Sequence, residues 1–110
     1  MIVEVVTGTE ERPEARVVDV DDLGRLHLAL GQVTDEEAAQ VLERAGLGRL
    51  RDGDTAFLDV AALRAAAEPR ATASDWQSQW DAMVAKARSN GWLSEDGATL
   101  EVHIESAAGA

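Results

Sequence analysis

The residues best suited to chemistry in this 110-residue chain are its two histidines, His27 and His103. His103 lies between Glu101 and Glu105 in an alternating stretch, which places the three side chains at i, i+2 and i+4 on one strand face. Glutamate, imidazole and glutamate make a reasonable donor set for a divalent ion. Same-face neighbours on one strand seldom close a coordination shell, so the solvent face of an amphipathic strand explains them without a metal. His27, with Asp19, Asp21, Asp22 and Asp59 elsewhere, supplies two members of a Ser-His-Asp arrangement. The nucleophile lacks its setting: no G-x-S-x-G turn occurs, and Ser74, Ser78, Ser89 and Ser94 read as cap, helix-surface and turn residues.

Neither Asp19-Val20-Asp21-Asp22 nor Asp52-Gly53-Asp54 keeps the alternating oxygens, central glycine and final glutamate of a calcium loop. Gly46-Leu47-Gly48 follows a helical pattern, the reverse of the strand-then-helix setting of a phosphate-cradling loop, and reads as a helix stop. The chain has no cysteine, which excludes disulfides, thiolate metal sites and cysteine nucleophiles. The expectation is a non-catalytic protein with no catalytic residue, no cofactor and no metal.

The charge narrows the partners. There are 21 acidic against 10 basic side chains, a formal net charge of −11. A DNA binder displaces counterions with Lys and Arg, and this chain's single lysine is Lys86, so direct nucleic-acid binding is disfavoured. Much of the acid falls where helix starts and turns use it, at Asp19, Asp35, Glu36, Glu37, Asp52, Asp54, Asp59 and Asp75. The opening Met1 to Val6 lacks the pattern of a secretory signal, and no apolar run reaches the roughly 18 residues of a membrane span. A cytoplasmic protein with no membrane partner is expected.

Several elements position these residues. Thr34-Asp35-Glu36-Glu37 forms a capping box before apolar residues at Ala38, Val41, Leu42 and Ala45, which predicts a helix over 35 to 46. Ser74 to Gln77 caps a second helix over 75 to 90, where Trp76, Trp80, Met83, Val84 and Ala87 fall on one face. Between them come a strand over 55 to 58 and a helix that starts on Asp59 and stops before Pro69. Thr99 to Glu105 alternates as a strand, as do Ile2 to Val6 and Arg16 to Val18, the last two joined by a polar loop containing Pro13. Residues 23 to 30 fit both periods. Shifting the chain by 40 residues lays Val17-Val18-Asp19-Val20 on Phe57-Leu58-Asp59-Val60, and Thr34-Asp35 on Ser74-Asp75. That partial self-similarity draws 20 to 30 toward helix. A single domain over 1 to 105 is expected, followed by a disordered tail over 106 to 110.

From residue 34 onward, the order helix, strand, helix, helix and two strands around Ser94 to Gly97 resembles the winged-helix domain, with residues 1 to 33 as an N-terminal strand and helix extension. The resemblance implies a helix-rich α+β fold with a small antiparallel sheet ending in a hairpin wing. It also implies that the third helix and the wing make the contacts, here through Asp75, Gln77, Ser78, Gln79 and Asp81 on the helix and Glu95 and Asp96 on the wing. Carboxylates there repel phosphates, so such a surface suits a protein partner, or mimicry of nucleic acid, better than DNA itself.

The tryptophans complete the candidate interface. Trp80 and Trp92 are expected in the core, whereas Trp76, in the first turn of its helix, is the best single interface candidate, with Gln79, Glu95 and Asp96 beside it. The leading reading is a small acidic protein-interaction module whose partner is another protein or a second copy of itself. A regulatory winged-helix protein and a ligand-binding or enzyme accessory subunit are the alternatives.

Overall fold

The computed structural model describes residues 1–7 and 12–106. Helices form where the chain supplies caps. Helix α1 (Asp35–Arg44) opens with the expected box: Thr34 Oγ1 accepts from the Glu37 amide at 3.1 Å, and Glu37 Oε1 accepts from the Thr34 amide at 2.8 Å. It ends at Gly46, whose φ of 71° lets the Leu47 amide turn back to the Leu42 carbonyl. Helix α2 (Val60–Ala67) starts on Asp59, whose carboxylate accepts from the Ala62 amide, and gives way to a 3-10 turn, Glu68–Arg70, around Pro69. Helix α3 (Trp76–Ser89) departs from expectation at its start. Asp75 rather than Ser74 is the cap residue, and its carboxylate accepts from Gln79 Nε2 instead of from the helix's own amides.

Six strands, β1 (Ile2–Thr7), β2 (Pro13–Val18), β3 (His27–Leu30), β4 (Gly48–Leu50), β5 (Thr55–Asp59) and β6 (Thr99–Ser106), form one mixed sheet in the order β2-β1-β3-β6-β5-β4. The β1–β3 and β3–β6 pairs are parallel and the others antiparallel. The sheet curls into a half-barrel: α1 touches β4 at one edge and also β1 and β2 toward the other, while α2 touches β2 and β5. Strand alternation sends Val3, Val5, Leu28, Ala56, Leu58, Leu100 and Val102 into one core with Leu42 of α1 and Leu63 of α2. The same register puts Glu4, Arg16, His27, Phe57, Glu101, His103 and Glu105 on the opposite face. Ion pairs decorate that face, Arg16 with Glu4 at 3.1 Å and Arg51 with Glu101 at 2.7 Å.

This sheet overturns the winged-helix expectation. The three helices stand in the expected order, but the sheet is large and mixed, and β1 to β3 make half of it rather than an extension. The expected wing fails because Trp92 and Leu93 supply only an isolated bridge, Leu93 to Leu100, while β6 pairs with β5 over Thr99 to His103 and with β3 from Ile104 to Ser106. A strand with Leu100, Val102 and Ile104 on one face satisfies its backbone and buries its side chains better in mid-sheet than in a two-stranded wing.

Residues 20 to 30 are likewise not a helix. Only Leu23–Arg25 form a 3-10 turn, and His27 to Leu30 are β3. As a central strand, β3 buries His27, Leu28 and Ala29 in succession, and the alternation of Leu26, Leu28 and Leu30 fits it, but Leu23, Leu26 and Leu30 fit a helical face as well. The 40-residue shift lays β2 on β5 and α1 on α3 but fails between them: Asp59 caps α2, whereas Asp19 sits at φ 51° in a turn and no α-helix follows it before β3. Pro13 begins β2, tolerated at the first residue of an edge strand. Ser106 is the last residue of β6, and the rest of the expected tail, 107 to 110, lies outside the described residues. Among the described residues, no helix is long and apolar enough to cross a membrane.

Candidate functional site

The site begins with the two edges of β6. Strand β5 occupies one edge over Thr99 to His103. On the other, β3 pairs only from Ile104 onward, while Trp92 and Leu93 flank the start: the Glu101 amide donates to the Trp92 carbonyl at 2.7 Å, and Leu93 bridges Leu100. The sheet therefore splits beside Val102 and His103. A cleft of about 550 Å³ opens there, between the Leu23–Leu26 segment, the flank of α3 and the split edge. That volume is in the range of small-molecule sites.

Helix α3 positions one wall through Gln79, Ala82, Met83 and Lys86, which recur at i, i+3, i+4 and i+7 as a stripe beside the tryptophan stripe. The opposite wall is Leu23 and Leu26, and Trp92 stands at the rim. Trp92 reaches the rim because α3 ends at Gly91 (φ 76°), where the Trp92 amide turns back onto the Ala87 carbonyl. The lining is apolar with a few polar groups, Thr55, Gln79, Lys86, Glu101 and His103.

His103 links the cleft to a second cluster. Its ring stacks on His27, centroids 5.6 Å apart, and both histidines face one carboxylate: His27 Nε2 lies 2.9 Å from Glu105 Oε2 and His103 Nε2 lies 3.3 Å from Glu105 Oε1. His27 is buried, and its Nδ1 lies 2.8 Å from the Arg25 carbonyl oxygen. Both of its ring nitrogens thus lie against oxygen atoms, one of the backbone and one of Glu105. The i, i+2, i+4 set read from the sequence is not assembled, because Glu101 is drawn to Arg51 and His27 enters from the neighbouring strand. Among the described residues, no group of three or more His, Asp or Glu is arranged to hold a metal ion.

The four interface candidates separate. Gln79 lines the cleft. Glu95 and Asp96 lie in the exposed turn before β6, where Asp96 accepts from the Ser94 hydroxyl at 2.6 Å and the Ala98 amide at 3.0 Å. Those bonds, the hydroxyl first, hold the Asp96 carboxyl below the usual carboxylate range. Trp76 is 4% exposed, donates from Nε1 to the Val20 carbonyl at 2.7 Å and stacks on Trp80, so it is a core residue rather than a surface one. Trp92, expected in the core, is 45% exposed. The cause of the exchange is the segment before β3, which folds over the start of α3. Asp21 accepts from the Thr72 hydroxyl at 2.6 Å and from the Thr72 and Ala73 amides at 3.0 and 3.2 Å, closing Val20 over Trp76.

The sequence reading uses Lys86 only as the chain's single lysine and places Trp92 in the core, and it gives Leu23, Leu26 and Met83 no functional role. The 79-82-83-86 stripe was the available local signal; the remaining walls depend on how β3 and β6 meet. Comparison with protein families, with curated proteins and with solved structures finds no match, so the functional reading rests on this geometry.

Proposed function

We propose that the chain is a small, non-catalytic binding protein of the cytoplasm and that the cleft between α3 and β6 is its site. The observation that carries this reading is an apolar hollow with Trp92 exposed at its rim, while Trp76 and Trp80 are buried. A half-exposed indole beside a concavity regains burial when an apolar group enters. The non-catalytic part of the reading is supported by the work the reactive groups already do: Asp21 clasps Thr72 and Ala73, Asp96 shapes a turn, and the histidines clamp Glu105 between adjacent strands. Titration with Nile red, a neutral apolar dye, tests the reading. The expected result is a saturable rise in dye emission that Trp92→Ala or Met83→Glu abolishes while far-ultraviolet circular dichroism is unchanged; emission that never saturates, or that both variants retain, contradicts it.

A second reading, a protein-interaction module, is favoured by the same exposed Trp92, since aromatic anchors concentrate binding energy at protein interfaces. In that case a side chain of another protein, or of a second copy, fills the cleft. Light scattering across a concentration series separates the second copy from other partners: self-association that Trp92→Ala removes supports it, and a monomer throughout excludes it.

A further inference from the structure

We propose that the cleft selects amphipathic carboxylates, with the hydrocarbon body against Leu23, Leu26, Met83 and Trp92 and the carboxylate on Lys86; this rests on the cleft being the binding site. Lys86 is the only lysine of the chain and lines the cleft. Among the described residues it forms no ion pair. The other charged or titratable groups of the lining are engaged: Glu101 with Arg51 at 2.7 Å and His103 with Glu105 at 3.3 Å. Gln79 is engaged through its amide nitrogen, bonded to Asp75, which leaves its carbonyl oxygen as an acceptor rather than a competing donor.

Lys86 lies in the last turn of α3, where the helix carbonyls are partly negative and disfavour an anion. Helical side chains lean toward the N-terminus, however, which carries the ammonium away from those carbonyls and toward Met83 and Gln79. A net charge of −11 repels anions over the rest of the surface, so a carboxylate gains from its charge only beside an unpaired cation. The apolar walls supply the remaining affinity, and an acid without a hydrocarbon body is not retained.

The test compares decanoate with decanol, which share a chain and differ in charge, titrated into the full chain and followed by tryptophan emission and calorimetry. The expected result is binding of both, with decanoate about fivefold tighter, the effect of one partly exposed ion pair. Lys86→Met brings the two ligands level without changing decanol affinity, Lys86→Arg keeps the preference, and Trp92→Ala weakens both. Equal affinities in the unmodified chain, or a preference that survives Lys86→Met, overturns carboxylate selection and leaves the cleft as a site for neutral apolar ligands. Failure of both ligands to bind removes the cleft reading as well.

Discussion

The two ends of α3 carry the same residue type to opposite outcomes. At its start, Trp76 and Trp80 stack with centroids 5.4 Å apart, and the Trp76 N–H is satisfied by the Val20 carbonyl under a flap held by Asp21. Just past its end, Trp92 stands half in water at the split edge of the sheet. A buried indole has apolar cover and usually an acceptor for its N–H. The segment 20 to 22 provides both for Trp76; nothing among the described residues covers Trp92 to the same degree. One end of the helix is an anchor and the other is a rim, and the cleft lies toward the rim.

The largest expected effect is at the anchor. Trp80→Ala should cost about 3–5 kcal/mol in urea unfolding, as for other large buried aromatics; a cost under about 1 kcal/mol would remove the distinction between the two ends. Next is the flap. The Thr72 hydroxyl, followed by the Thr72 and Ala73 amides, holds the Asp21 carboxyl below its ordinary value. A carboxylate depressed in the folded state stabilises it above the unfolded value, near about 4, and that stabilisation is lost as pH falls through the lower folded value. Melting temperatures of the unmodified chain and of Asp21→Asn should therefore differ at neutral pH and converge in acid; a gap that widens in acid refutes the assignment.

Smaller effects are expected at the rim. Trp92→Ala should change stability by no more than about 1 kcal/mol, because nearly half of the residue is already in water. A loss as large as that at Trp80 would show that the rim is a second anchor. Lys86→Met should be smallest, within about 0.5 kcal/mol, since the side chain is exposed and unpaired. Both are read in the same urea titration as Trp80→Ala, so the three variants rank the two ends directly.

What was legible in the sequence was local. The Thr34–Glu37 box, the Asp59 cap and the glycine stop after α1 involve groups within five residues of each other, and each forms as its residue types require. The winged-helix resemblance rested on helix order, which such signals do reveal; what it lacked was strand pairing. Residues 27 to 30 became strand because β1 and β6 flank them, and neither neighbour is visible from a periodicity that fits helix as well. Trp76 was read as an interface residue from its place in the first turn, and it is the flap at Val20, 56 residues earlier in the chain, that closes over it. Of the cleft, Gln79 was singled out on a helix face, while Leu23, Leu26 and Trp92 joined it through the geometry of the sheet.

The central place of β6 also bears on how the protein is made. Strands β1 to β3 and strands β4 to β5 have no pairing with each other; β6 alone joins the two groups. A ribosome translating this chain releases both groups before the strand that unites them, so β3 and β5 each keep an open edge until Ser106 has left the exit tunnel. Those edges close late and through contacts distant in sequence, which makes docking of β6 the step that completes the sheet and ends its exposure to other nascent chains.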